Sequence, residues 1–250
     1  MKIHDLSDGI QSCCQICGNK DLKQVIDLGT QPLSDKLQRM DRELKEEISF
    51  PLVQLWCSVC GLNQLNFICP SEIMFGDDYS YKTGVTQELV TYQAQMAADL
   101  VELLSLKDED LVCDLGSNDG TLLKGFMKQG VNVIGVEPTD IADLANKDGV
   151  PTLRMPFGEV AAKSVIEKSG KVSLATATNV FAHIENFFQF PTGIGKRRSN
   201  NSRKLQVLLL LNLGDGCLYD GCSRIGEVNN DTVLLLRNVD GFCHWPVRRG

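Results

Sequence analysis

Two pairs of cysteines constrain the fold of the first 70 residues more strongly than any other feature of this sequence. Cys14 and Cys17 enclose two residues, as do Cys57 and Cys60, and a glycine follows each pair directly. A CxxC turn brings two thiolates to one ion, and the following glycine permits the positive-φ backbone that the turn needs. Two such turns predict a tetrahedral site for a structural Zn²⁺, with no open position for water or substrate.

Other interpretations of these pairs are thioredoxin-like redox chemistry and coincidental packing. The glycine after both pairs favours a metal, and the 39 residues between the pairs are no obstacle, because the entropy of loop closure grows only logarithmically with length. Cys13 could replace Cys14 only by losing the CxxC spacing. Two of the ten cysteines, Cys69 and Cys113, have no partner nearby in sequence and are predicted to be buried thiols.

The cysteine pairs define a predicted zinc-binding module over residues 12–72. Its middle is rich in charge and its apolar runs are short. The module is therefore not expected to keep a stable hydrophobic core unless a bound metal or another cross-link holds it together. An amphipathic helix is expected over residues 88–106. Its apolar residues recur at helical spacing: Leu89, Tyr92, Met96, Leu100 and Leu103.

The second predicted domain, residues 86–190, alternates short apolar strands with helical segments. Strands are expected over residues 111–116, 131–138 and 172–180, with helices between them. This alternation is typical of βαβ units around a parallel sheet, so the predicted fold class is α/β. The tail, residues 191–250, begins as a basic loop and then contains two apolar segments, which predict one or two strands.

The end of the first strand of this domain has the pattern of a ligand-binding turn. Asp114 is followed by Gly116, Asn118 and Gly120, and both glycine and asparagine tolerate a left-handed backbone that lets a ligand approach closely. The dinucleotide fingerprint GxGxxG would need glycine where Asn118 and Thr121 stand, so an NAD site is disfavoured.

A carboxylate follows at the spacing that nucleoside recognition requires. Glu137 ends the next predicted strand, 21 residues after Gly116, where Rossmann-like folds place an acidic side chain against ribose hydroxyls. The alternative is a plain α/β domain with a tight turn and a surface glutamate.

Together these motifs resemble the zinc-containing, S-adenosylmethionine (SAM)-dependent C-methyltransferases that act on nucleotide-linked keto-deoxyhexoses. Besides the CxxCG pairs, the resemblance rests on Tyr79-Ser-Tyr81, DLGSNDGTLL, GVEPT and Asn179-Val-Phe-Ala-His183-Ile. It runs from about Cys14 to Asn186. The later family motif YHEHxxYF and the family's C-terminal domain are not recognisable here, which indicates a chain truncated or altered after about residue 190.

The resemblance implies a Rossmann-like class I methyltransferase domain, which is expected to be incomplete here because the later part of the family's sequence is not recognisable after about residue 190. It implies that SAM methylates a carbon beside a ketone, after a base has removed the α-proton. The residues it implies for SAM binding are Asp114, Gly116, Asn118, Gly120, Glu137 and Asn179. His183, Tyr81 and Tyr79 become the catalytic candidates, although a lone histidine is more often capped or packed and the tyrosines could pack between domains.

Composition excludes several other classes. A formal net charge of −7 provides no basic field for nucleic acid, and the longest apolar stretch, Val207–Leu211, is far shorter than the roughly 20 residues of a membrane helix. The first residues contain no apolar run of signal-peptide type, so a cytoplasmic location is expected. The leading hypothesis is therefore a SAM-dependent sugar C-methyltransferase with a nucleotide sugar as its small-molecule partner. The alternative is a truncated, non-catalytic protein whose zinc module serves folding or partner docking.

Overall fold

The computed structural model describes residues 9–34, 36–38, 40, 41, 43, 46–76 and 79–180, and the strand backbones of residues 206–211, 226–228 and 231–237. The chain divides into two compact units, the first extending to Tyr81 and the second beginning at Lys82. Among the described residues, no helix combines the length and apolar character that crossing a membrane requires.

The first unit is built on a three-stranded antiparallel sheet in the order β1-β2-β3. Its elements are β1 (Leu22–Pro32), β2 (Ser49–Cys57), β3 (Asn63–Leu65) and the short helix α1 (Ser71–Met74). Leu22, at the start of β1, lies opposite Cys57, at the end of β2. Because β1 begins just after the first cysteine pair and β2 ends at the second, this register brings both pairs to one end of the sheet.

The core of the first unit is small. Phe50, Phe67 and Cys69 form its buried centre, and the two rings stack with centroids 5.4 Å apart. Strand β1 is exposed along nearly its whole length. A core of this size agrees with the expectation that the module needs a cross-link such as a metal ion for stability. Cys69 is buried as predicted.

The second unit is a seven-stranded sheet in the order β6-β5-β4-β7-β8-β10-β9, and every pair in it is parallel except β9 with β10. In chain order the elements are a 3₁₀ turn (Thr83–Val85), α2 (Gln87–Leu104), β4 (Leu111–Leu115), α3 (Thr121–Lys128), β5 (Asn132–Glu137), α4 (Ile141–Lys147), β6 (Thr152–Arg154), α5 (Glu159–Ser169), β7 (Leu174–Thr178), β8 (Gln206–Leu211), β9 (Gly226–Val228) and β10 (Asp231–Arg237). The predicted α/β class and parallel sheet are confirmed.

Side chains of the central strands alternate between two buried clusters. In β4, Val112 faces a cluster that includes Phe126 of α3, whereas Cys113 faces a second cluster that includes Val165 of α5. Alternation along a strand buried on both faces places helices above and below the sheet. Cys113 is buried as predicted, and burial raises the pKa of its thiol to about 12, so it packs as a neutral side chain.

Helix α2 forms where it is expected, but the sequence-based prediction of its buried face was wrong at one edge. Leu103 is 60% exposed and Tyr92 is 38% exposed, and the buried residues of the helix are Gln93, Met96, Ala97 and Leu100. Ala97 packs against Gly125 of α3, where an added methyl group would lie 2.8 Å from the Ala97 Cβ. These small residues let α2 and α3 approach closely. As a result, the face of α2 that carries Ala97 is the one that packs against α3.

Candidate functional site

The four cysteines of the CxxC pairs converge in the first unit. The Sγ atoms of Cys14 and Cys60 are 3.4 Å apart, those of Cys17 and Cys57 are 3.5 Å apart, and all four lie within 4.8 Å of one another. Four thiolates about 2.3 Å from a Zn²⁺ ion at the centre of a tetrahedron would be about 3.8 Å from each other. The cluster therefore fits a tetrahedral zinc ion if the sulfur–sulfur distances, which lie between 3.4 Å and 4.8 Å, change by at most about 1 Å.

The two cysteine turns have the same backbone hydrogen bonds. The N–H of Gly18 donates to the carbonyl of Cys14 at 2.9 Å, and the N–H of Gly61 donates to the carbonyl of Cys57 at 2.8 Å. Both glycines have positive φ, at 72° and 79°. The glycine after each pair thus has the left-handed backbone that the sequence predicts, and each turn is closed in the same way.

The thiols of the cluster differ in acidity. The backbone N–H of Cys60 donates to the Cys57 sulfur and lowers the pKa of that thiol to about 6, so Cys57 is a thiolate at neutral pH. Removal from water raises the pKa of Cys60 to about 12. A divalent cation that binds all four sulfurs must therefore displace protons from the more basic thiols.

The second site lies at the carboxyl end of β4, in the turn that leads into α3. Gly116, Asn118 and Gly120 all have positive φ, at 64°, 52° and 74°. A methyl group added to Gly116 would lie only 2.5 Å from Cγ2 of Val180. The left-handed turn that the sequence predicts is therefore present, and Gly116 is required both for its backbone angle and for the close approach of Val180.

Asp114 is the last polar side chain of β4 before this turn, and it is 2% exposed. Its Oδ1 accepts a hydrogen bond of 2.6 Å from Oγ1 of Thr176 on the neighbouring strand β7. Burial raises the pKa of this carboxyl to about 7, and the nearby negative charge of Glu137 adds to the shift. Asp114 is therefore poised between its neutral and ionised forms near neutral pH.

Glu137 ends β5, which is paired in parallel with β4, and its side chain turns back to the same loop. Its Oε2 accepts from the backbone N–H of Asn118 at 2.9 Å. Its Oε1 accepts from the N–H of Thr139 at 2.9 Å and from Oγ1 of Thr139 at 2.7 Å. A carboxylate has about four acceptor positions, so Oε2 retains one for a ligand hydroxyl.

One buried hydroxyl of the loop is not satisfied within the described part of the chain. Oγ of Ser117 is buried and has no hydrogen-bond partner there. It lies against β5, since a methyl group added to Gly135 would be 2.3 Å from it. A buried hydroxyl without a partner is costly, and a polar ligand group or an ordered water at this turn would relieve that cost.

The comparisons with known proteins agree with the cysteine cluster. Residues 14–75 match a methyltransferase family model, Methyltransf_13, whose description is "Putative zinc binding domain". The match covers both cysteine pairs and the three strands between and after them. Residues 14–75 are therefore similar in sequence to this zinc-binding domain.

A curated relative extends the match into the second unit. The chain is 29% identical over 182 residues to C-methyltransferase NovU from Streptomyces niveus, across 72% of this chain and 43% of that protein. The chain thus spans less than half the length of this relative. The predicted resemblance to zinc-containing methyltransferases is confirmed.

Two solved methyltransferase structures align with part of this chain. The plantazolicin methyltransferase BpumL, in complex with a pentazolic desmethylPZN analog and SAH, is 13% identical, with a TM-score of 0.33, over 42% of this chain and 40% of that one. Magnesium protoporphyrin IX methyltransferase (ChlM) from Synechocystis PCC 6803 with bound SAH is 16% identical, with a TM-score of 0.28, over 41% and 49%. Both likenesses are partial.

The structure brings together five of the predicted cofactor residues, those between Asp114 and Glu137. Asn179 lies just after the end of β7, is exposed and has a positive φ of 57°. Tyr79 and Tyr81 belong to the first unit, where Tyr81 is 48% exposed and the ring of Tyr79 meets that of Phe75 edge to face, with centroids 5.5 Å apart. His183 lies outside the described residues.

Sequence reasoning missed the side chains that hold the loop in place. Oδ1 of Asn118 accepts from the N–H of Thr83, and Oδ2 of Asp119 accepts from the N–H of Gly84, each at 2.8 Å. The 3₁₀ turn before α2 is therefore fixed to the β4–α3 loop. The only signal in the sequence was the polar run from Ser117 to Asp119, which does not reveal a partner 35 residues away.

Proposed function

We propose that this chain is a SAM-dependent C-methyltransferase that acts on a nucleotide-linked keto-deoxysugar and methylates an enolate carbon. The carrying observation is the pair of buried carboxylates, Asp114 and Glu137, at the carboxyl ends of adjacent parallel strands beside a left-handed loop. Ligands of open α/β sheets bind at this edge. The name of the curated relative, a C-methyltransferase, supports the reaction class.

The proposed cofactor contacts follow from the positions of these groups. Asp114, with Gly116 and Gly120, lines the methionine and ribose end of SAM, and its ionised form suits the positive charge of the methionine amino group. Glu137 uses its remaining acceptor position for a ribose hydroxyl. Asn118 and Asn179 complete the proposed contacts at the same edge of the sheet.

When bound, SAM supplies the methyl group as an electrophile on a sulfonium. The chain must then hold the substrate carbon in line with that methyl group and provide a base for the α-proton. His183, Tyr81 and Tyr79 are the proposed candidates for the base and for substrate positioning. The four-cysteine site has no open coordination position, so its proposed role is structural. A nucleotide-sugar partner and a cytoplasmic location belong to the same proposal.

Calorimetric titration with S-adenosylhomocysteine (SAH) tests the cofactor site. We expect the zinc-loaded protein to bind SAH at micromolar concentrations, and Asp114→Ala to weaken binding at least about tenfold, the effect of losing roughly 1.4 kcal/mol. Asp143→Asn is the matched control, since this carboxylate of the same unit pairs with Arg154 at the surface at 2.7 Å. Its affinity for SAH should equal that of the wild type.

The substrate class needs a second measurement. Transfer of a labelled methyl group from SAM to a nucleotide-linked keto-deoxysugar would support the full proposal. A folded, zinc-loaded chain that does not bind SAH would contradict it. That result would favour the second candidate, a non-catalytic protein whose zinc module serves folding or partner docking.

A further inference from the structure

A buried glutamine of β3 spans the first cysteine turn. Gln64 is 6% exposed, although it lies on a three-residue strand of a small sheet. Its Oε1 accepts from the backbone N–H of Gln15 at 3.0 Å, and its Nε2 donates to the carbonyl of Cys13 at 3.1 Å. These two peptide groups flank Cys14, so one side-chain amide holds the backbone on both sides of that cysteine.

An asparagine makes the converse connection, from the first turn to the second. Asn19 follows the first cysteine pair, and its Nδ2 lies 3.7 Å from the Cys57 sulfur. The same Nδ2 also donates to the carbonyl of Asp21 at 3.0 Å, and Oδ1 accepts from the N–H of Asp21 at 3.3 Å. The amide is therefore held in a fixed orientation with a donor directed at one thiolate.

We propose that Gln64 and Asn19 are positioning residues of the zinc site. They form a reciprocal pair: Gln64 reaches from the strand after the second turn to the backbone of the first, and Asn19 reaches from the first turn to a sulfur of the second. Together they set the separation of the two thiolate pairs before the metal binds. The four-cysteine motif itself contains neither residue.

The two cysteine turns need such contacts because they are far apart along the chain. Gln64 lies 49 and 51 residues along the chain from its two hydrogen-bond partners, and no local turn can fix groups that are so far apart in sequence. Groups that orient metal ligands without touching the metal typically change metal affinity 10- to 100-fold when they are removed. Asn19 likewise connects distant parts of the chain, since its Nδ2 lies 3.7 Å from the sulfur of a cysteine 38 residues away.

Zinc affinity of the whole chain tests the role of Gln64. We expect Gln64→Leu to raise the zinc dissociation constant about 10- to 100-fold in competition with a chromophoric chelator. Gln64→Glu keeps the acceptor for the Gln15 N–H but sets a buried carboxylate oxygen against the Cys13 carbonyl, so it should weaken zinc binding at least as much as Gln64→Leu. Gln24→Leu is the matched control, because it makes the same change at an exposed position of β1 and should leave the constant unchanged.

Two results would overturn the assignment of Gln64. One is an unchanged zinc dissociation constant in a folded Gln64→Leu protein. The other is a first unit that stays unfolded in both variants at saturating zinc, since a residue that is needed regardless of the metal is not a metal-positioning residue. Protection of β2 amides from hydrogen exchange, measured with zinc present, distinguishes a folded from an unfolded first unit.

Cobalt gives an independent readout for Asn19. Zn²⁺ has a filled d shell and no visible spectrum, whereas Co²⁺ bound by thiolates absorbs through charge transfer from sulfur. Asn19→Asp keeps Oδ1 as the acceptor for Asp21 but removes the N–H beside Cys57, so we expect the charge-transfer band to move to longer wavelength. An unchanged spectrum would overturn the role of Asn19. SAH binding is measured separately, so failure of the proposed methyl transfer leaves this test intact.

Discussion

Asp114, a residue of the proposed SAM site, lowers the stability of the folded chain at neutral pH because its carboxyl is buried. Its pKa is raised to about 7 by burial, whereas an unfolded aspartate has a pKa of about 3.8. Between these values the native state holds a proton that the unfolded state has lost. The free energy of unfolding therefore decreases as pH rises from about 4 to 7, because the carboxylate must ionise in a buried position.

Asp114→Asn should remove this dependence. The amide keeps an acceptor for the Thr176 hydroxyl, and its advantage in unfolding free energy over the wild type should grow by about 2 to 3 kcal/mol between pH 5 and pH 8. Urea unfolding of both proteins at the two pH values measures it. An advantage that does not change with pH would show that burial does not raise the pKa of this carboxyl. If the same variant also binds SAH more weakly, the carboxylate of Asp114 contributes to cofactor binding at the expense of stability.

The candidate sites were predictable from sequence only where their residues are local. Asp114, Gly116 and Glu137 follow from strand ends and a glycine turn, since the pattern itself specifies the geometry. Thr176 and Gln64 were missed because their partners lie 62 and 51 residues away, and no periodicity encodes such a contact. Burial of Gln64 is also unusual for its residue type, so composition gave no hint of it.

At the level of elements, the strands and helices of residues 111–180 were largely predictable. Apolar runs and helical segments alternate there, and turn-forming residues such as glycine separate them. Strand β6 was not, since three residues carry no period. The tail contributes three strands to the sheet where one or two are expected, because a strand as short as Gly226–Val228 depends on its partner β10 rather than on its own sequence. The role of residues 191–250 as a separate tail remains a prediction.

The crossing of α2 over α3 depends on the absence of a side chain at Gly125. A methyl group there would lie 2.8 Å from the Ala97 Cβ and 3.2 Å from the Ala94 Cα. Alanine is favoured over glycine within a helix by about 1 kcal/mol, yet overpacking a buried contact costs about 1 to 3 kcal/mol. We therefore expect Gly125→Ala to leave stability unchanged or to lower it by up to about 2 kcal/mol, instead of raising it.

A double-mutant cycle separates helix propensity from the clash. In an Ala97→Gly background the nearest methyl group is gone, so the effect of Gly125→Ala on the free energy of unfolding should become more favourable by about 1 kcal/mol or more. Thermal and urea unfolding of the four proteins give the coupling. Strictly additive effects would mean that the helices do not meet closely through these residues.

At the scale of the whole molecule, each unit has its own buried core. The aromatic cluster around Phe50 and Phe67 is confined to the first unit, and the two clusters on either side of the parallel sheet are confined to the second. The first unit therefore depends on its own small core and on the four cysteines, while the second does not require the metal for its packing.

Removal of zinc should consequently unfold only one of the two units. The binding free energy of a structural zinc ion contributes directly to the stability of a small module, so a strong chelator should abolish hydrogen-exchange protection in β2, residues 49–57. Protection in β4 and β5 should persist, and SAH should still bind. Adding Zn²⁺ back should restore β2, and Cys57→Ser should mimic the chelator in its presence. Simultaneous loss of protection in β4 would show instead that the zinc site stabilises the entire chain as one cooperative structure.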